Sequence, residues 1–212
     1  LSASGDARAR VLAAVRRAVS HALPHPGRHP SPPGEAEWAA FARVLASVGG
    51  SPHGPVSQGE LPGEALRLAR EAAAGGRIVA EPSAAALLGA APGVEIAAAG
   101  AEPGSHGDVA VAIVRGELAV AEAGAVAVLG RDAPHRALLF LAECVLLLVD
   151  AQRVFADLHA AFAALPPDAL AGHHLTWISG PSKTADIEQT LVLGAHGPRA
   201  LAVLGFGAEP LR

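Results

Sequence analysis

The sequence predicts an α/β fold, a largely parallel central sheet with flanking helices, preceded by an N-terminal helical extension. Three observations carry this. Short apolar runs of strand length alternate with longer segments of helical periodicity. The run Cys144-Val-Leu-Leu-Leu-Val149 is apolar throughout instead of alternating, as strands covered on both faces are. At 212 residues, 51% of them hydrophobic, the chain can build a sizeable core. Aromatic residues make up only 3%, so that core must be Ala, Leu and Val.

The elements follow in order. Residues 6–22 carry Val11, Leu12, Val15, Val19 and Leu23 near one helical face, with Arg8, Arg10, Arg16 and Arg17 mostly outside it. Residues 23–34 hold five prolines and two glycines in twelve positions, the composition of a linker or an extended arm. A second helix over 35–48 places Trp38, Phe41, Leu45 and Val48 at helical spacing and stops at Gly49-Gly50. The expected division is therefore an extension over 1–48 and an α/β domain over 49–212.

Within the domain, helices are expected at 62–74, 83–91, 133–142, 153–165 and 184–194. Strands are expected at 77–80, 94–98, 109–114, 118–121, 125–129, 144–149, 175–178 and 200–204. The short strands packed into 109–129 point to a local antiparallel or mixed excursion from the parallel sheet.

Composition excludes several classes. The net charge is −4 and no basic block occurs, which argues against a nucleic-acid footprint. The one cysteine, Cys144, rules out an intramolecular disulfide and a cysteine-based zinc or iron–sulfur site in this chain. It lies in an apolar run, as an inert core thiol does. The ten histidines show no metal-ligand pattern. His21, His25 and His29 are interrupted by Pro24, Pro26 and Pro30, His173 and His174 are adjacent, and His53 and His106 lie in loops. No apolar run is long enough to span a membrane. Residues 6–17 are charged and helical in pattern where a secretion signal has an apolar run, so the cytoplasm is the default location.

The stretch from Leu175 to Glu188 concentrates the chemistry. An apolar strand runs into Ser179-Gly180-Pro181-Ser182-Lys183-Thr184, and an amphipathic pattern with Asp186 and Glu188 in its first turn follows. A strand, a polar loop and a helix N-terminus together aim backbone N–H groups and partial positive charge at one spot. Lys183 is the only lysine among sixteen basic residues. Two readings stay open at this point. One is an anion site; the other is a helix capped by Ser182 or Thr184, with Asp186 and Glu188 complementing its dipole.

The run from Ser179 to Glu188, continued by Leu193-Gly-Ala-His-Gly-Pro-Arg199, resembles the C-terminal signature of the LUD-domain family. A second segment, Ala121-Glu-Ala-Gly-Ala-Val-Ala-Val128, is similar to a family stretch that usually reads Ala-Glu-Thr-Gly-Thr before an apolar strand. Ala123 and Ala125 replace the usual threonines. Lys183 stands where arginine is common, which keeps the charge and loses the planar fork. The resemblance covers most of the chain beyond the first helix. It implies a sheet related to those of sugar-phosphate isomerases and coenzyme A transferases.

It also implies membership of a bacterial system that oxidises L-lactate to pyruvate. Two of the three partners in that scheme carry iron–sulfur clusters. This chain would carry no cofactor itself and would bind substrate or another small anion, or assemble the complex. Under this reading Ser179, Gly180, Pro181, Ser182, Lys183 and Thr184 form the ligand loop, with Asp186, the carboxylate nearer the loop, facing inward. Glu188 and His196 belong to the same signature. Glu122 and Gly124 supply the facing loop.

If both loops close the carboxyl ends of strands in one parallel sheet, they flank a common crevice. Glu122 is then the candidate base or nucleophile; the bland alternative is a carboxylate hydrogen-bonded to nearby backbone. Two other functions are weighed. One is a free-standing isomerase or transferase acting on a phosphorylated or acyl-coenzyme A substrate. The other is a non-catalytic module that binds a partner through its N-terminal helix.

Overall fold

The computed structural model describes residues 3–18, 36–98, 102–130, 136–167, 169, 174–184, 192–194 and 196–207. The chain divides into two compact units, Leu1–Pro30 and Ser31–Arg212. The first contains helix α1 (Ala3–Ala18). Its residues Val11, Leu12 and Val15 are exposed and form the apolar stripe its sequence sets out. Val19, Leu23 and the whole proline-rich stretch over 23–34 lie outside the described residues.

The second unit begins with α2 (Trp38–Ser47) and β1 (Ser51–Val56). Then come α3 (Leu61–Ala73), β2 (Arg77–Ala80), α4 (Pro82–Leu88), β3 (Glu95–Ile96) and β4 (Val109–Arg115). Strands β5 (Leu118–Val120) and β6 (Ala125–Leu129) follow, then α5 (Leu138–Leu141) and β7 (Cys144–Asp150). The remainder is β8 (Val154–Phe155), α6 (Leu158–Ala164), β9 (Leu175–Ile178), β10 (Lys183–Thr184), β11 (Val192–Leu193) and β12 (Ala200–Phe206). The sequence groups α2 with the extension; in the structure it belongs to the second unit, its Ala40, Phe41 and Leu45 buried in the main core.

The main sheet is six-stranded and parallel throughout, in the order β1-β12-β7-β4-β2-β3. Its central strands are covered on both faces, which is why they read as continuous apolar runs. Along β7, Cys144, Leu146 and Leu148 pack with residues of α3 and α4. Val145, Leu147 and Val149 point to the opposite layer.

That opposite layer includes a smaller sheet, in the order β8-β5-β6-β9, in which β6 runs antiparallel to both β5 and β9. Ala119, Val126 and Val128 press onto the main sheet; Leu118, Val120 and Ala127 face away and pack with Ala161 of α6. The mixed excursion expected within 109–129 is the entry of β5 and β6 into this second sheet. Gly116 makes the crossing from one sheet to the other possible. A Cβ there would lie 2.5 Å from Val126 Cγ1 and 2.7 Å from Val149 Cγ2.

Three local expectations change. Strand β1 holds Pro52 and Pro55, which hide its strand character in the sequence; they are tolerated because β1 lies at a sheet edge. The helix expected over 153–165 starts only at Leu158, because Val154 and Phe155 first pair with β5 and Asp157 then caps the helix. Among the described residues of 133–142, the helix is limited to Leu138–Leu141.

Candidate functional site

The two signature segments meet in the smaller sheet. Strand β5 ends in a tight turn over 121–124, closed by Gly124 N–H donating to the Ala121 carbonyl at 3.3 Å. Gly124 has φ +54, and a Cβ on it would sit 2.6 Å from Leu45 N and 2.8 Å from Leu45 Cα. The glycine is required because the backbone of α2 passes directly over this turn.

Strand β9 runs antiparallel to β6, with Val126 opposite Ile178. The turn that precedes β6 and the loop that follows β9 therefore lie at the same end. The Ser179 hydroxyl joins them, donating to the Ala123 carbonyl at 2.7 Å.

The second loop also closes on α2. Gly180 has φ +72, and a Cβ there would come within 2.6 Å of the Val48 carbonyl oxygen. Val48 is the C-cap of α2. Lys183 donates from Nζ to that same carbonyl at 2.5 Å. An ammonium at a helix C-terminus satisfies an orphan acceptor and complements the negative end of the helix dipole. Gly124, Gly180 and Lys183 thus form a seat for the last turn of α2.

The helix expected over 184–194 is replaced at its described positions. Lys183 pairs with Leu193 and Thr184 with Val192, making an antiparallel ladder of two short strands. Threonine and valine are residue types that favour extended backbone. The backbone of Ser182 extends the connection, its N–H on the Pro198 carbonyl and its carbonyl accepting from Gly194 N–H, both at 2.9 Å. Lys183 therefore sits on a strand, and residues 185–191, where most of the expected helix falls, lie outside the described residues. Asp186 and Glu188 lie outside the described residues.

Glu122 is exposed, and its Oε1 accepts a hydrogen bond from Leu158 N–H at 2.9 Å. Asp157, one residue earlier, accepts from Ala160 N–H at 2.8 Å. Two carboxylates from separate segments thereby serve the first turn of α6, where N–H groups lack helical partners. Of the two roles the sequence leaves open for Glu122, this contact is the carboxylate bound to neighbouring backbone.

Beside the joined loops lies a cavity of about 260 Å³. Thr176, Ser179, Ser182 and His196 bring polar groups to its wall; Leu139, Val145, Ile178 and Leu201 make it apolar within. Gly180 and Pro181 complete the loop side. An adjoining cleft of about 520 Å³ shares Phe140, His196 and Gly197 with the cavity and adds Glu143 and Arg199. Both His196 and Arg199 are exposed.

Val145 and Leu201 are the second residues of β7 and β12, so the cavity lies at the amino ends of the parallel strands. The two signature loops do not close the carboxyl ends of the parallel sheet, where a crevice is expected, because β9 and β5 belong to the smaller sheet. Lys183 and Glu122 do not line this cavity. Phe140, Thr176 and Arg199 do line the cavity or its cleft, and their sequence pattern assigns them no role. Arg199 had a visible signal, closing the Gly-Ala-His-Gly-Pro-Arg run.

Cys144 is buried at the start of β7, and desolvation pushes its thiol above the ordinary range, against a nucleophilic role. Among the described residues, no three His, Cys, Asp or Glu side chains converge as a metal site. Among them, too, no helix is long and apolar enough to cross a membrane.

The chain has relatives among known proteins. The LUD domain model matches residues 106–204, a stretch that includes both joined loops and the cavity wall. It is similar to lactate utilization protein C of Deinococcus radiodurans, 27% identical over 214 residues, spanning 98% of this chain and 99% of that one. It also matches lactate utilization protein C of Geobacillus kaustophilus, 32% identical over 98 residues, 44% of this chain and 41% of the relative. A crystal structure of a DUF162 family protein from Deinococcus radiodurans has the same fold, with a TM-score of 0.62, 21% identity, and coverage of 80% of this chain and 95% of that one.

Proposed function

We propose that this chain serves bacterial lactate utilization as a non-redox subunit that holds a small carboxylate and assembles with iron–sulfur partners. The observation that carries this is the junction of the two signature loops, Ser179 Oγ on the Ala123 carbonyl, at the wall of a cavity with hydroxyl groups and an imidazole. Similarity over nearly the full length of a protein named for lactate utilization supports the same reading. Thr176 and Ser182 hydroxyls suit the carboxylate oxygens of such an acid, while Ser179, whose proton goes to the Ala123 carbonyl, can only accept from the acid's hydroxyl. A single buried cysteine cannot supply a cluster's thiolate set, so electrons would pass through partner subunits.

The engagement of Glu122 with the start of α6 weighs against a free-standing isomerase or transferase that uses it as base. Lactate-dependent dye reduction by the reconstituted system, with and without this chain, tests the proposal. Activity should collapse when the chain is omitted. Undiminished activity without it would remove the chain from lactate oxidation.

A further inference from the structure

The cavity needs a cation if its ligand is an acid, and Lys183, the conspicuous candidate in the sequence, is turned to the end of α2. The cation that lines the adjoining cleft is Arg199, in a wall that Glu143 also lines. Two features hold it there. Its backbone N–H donates to the Glu143 carbonyl at 2.8 Å, anchoring the residue just before β12. Its aliphatic stem lies over Gly194, which has φ +73 and where any Cβ would overlap Arg199 Cγ. His196 is on the wall common to both spaces. A guanidinium offers a planar fork matched to a carboxylate, and an imidazole adds a further donor.

We propose that Arg199 and His196 hold the carboxylate of a hydroxy acid whose apolar tail lies in the inner cavity. This rests on reading the cavity as the ligand site of the chain, and it narrows the ligand class. The inner wall, with Leu139, Val145, Ile178 and Leu201, rewards an alkyl chain. The cavity alone, at about 260 Å³, has room for more than a three-carbon acid. The site therefore favours acids longer than lactate, with Phe140 lining both compartments where the chain of the acid passes between them.

The test is calorimetric binding to the full chain of L-lactate, 2-hydroxybutanoate and 2-hydroxyhexanoate. Each added methylene buried in the cavity should tighten Kd about fourfold, until the cavity is full. Arg199→Ala should weaken every member of the series about tenfold or more, and Arg199→Lys should restore part of the loss. Thermal unfolding of both variants confirms that they fold.

Equal affinity along the series, binding undiminished in Arg199→Ala, or no binding of any member would overturn the inference. A failure of the reconstituted lactate assay would leave the binding series readable, so the two readings fail separately.

Discussion

Gly124 and Gly180 are glycines for one reason: the backbone of α2 and its C-cap occupies the space a side chain would need. At Gly124 the obstacle is the Leu45 backbone, which cannot rotate away, and the φ of +54 adds conformational cost. Gly124→Ala should therefore destabilise the chain by at least about 2 kcal/mol, lowering Tm by several degrees in thermal unfolding. An unchanged Tm would mean that α2 does not rest on this turn.

Lys183 stood out in the sequence as the only lysine, but its partner did not. The Val48 carbonyl is 135 residues away in the chain, and no local pattern announces such a contact. The same holds for Glu122, whose acceptor role depends on α6 starting 36 residues later. Arg199 was visible as the last residue of a signature run, yet only the cleft around it gives it a chemical role.

At the scale of elements, the long apolar strands β4, β7 and β12 were readable because burial on both faces leaves a continuous apolar run. Short strands were not. Two-residue strands such as β8, β10 and β11 carry too few positions for a period, and their pairing comes from neighbours brought up by the rest of the fold.

The edge formed by β2, β3 and β4 depends on charge. Arg77 on β2 pairs with Glu95 on β3 at 2.9 Å and with Asp108, just before β4, at 2.7 Å. The hydrogen bond from Arg77 holds the Asp108 carboxyl below the ordinary aspartate range. A depressed folded-state pKa contributes stability above the unfolded value, and that contribution fades as pH falls through the folded value. The Tm difference between this chain and Asp108→Asn should accordingly be present at neutral pH and disappear in acid below the aspartate range. Because the groups are exposed, salt should shrink it as well. A difference that persists undiminished in strong acid would show that the pair does not act through ionisation.

At the scale of the molecule, the division into Leu1–Pro30 and Ser31–Arg212 gives the second unit its own core, with α2 inside it. A chain beginning at Ser31 should keep a cooperative thermal transition and the same ligand affinity in calorimetry. Cutting instead at residue 49, the boundary suggested by sequence, removes Phe41 and Leu45 from the core and should abolish that transition. If the chain beginning at Ser31 failed to fold, residues 1–30 would be required by the second unit. If it folded but lost its place in the reconstituted system, the exposed stripe of Val11, Leu12 and Val15 would become the first surface to examine for assembly.

By itself the sequence determined the α/β class, the buried strands and the two signature segments, because period, apolar length and rare residues are local properties of a chain. Only the tertiary structure decided what surrounds those segments. It joined them in a second sheet, beside a cavity at the amino ends of the parallel strands. It turned Lys183 and Glu122 to helix ends and set His196 and Arg199 along the cavity and its cleft. The physical reason is that a side chain's role is set by the groups packed around it. Here those groups come from α2, β9 and β12, which are far apart along the chain.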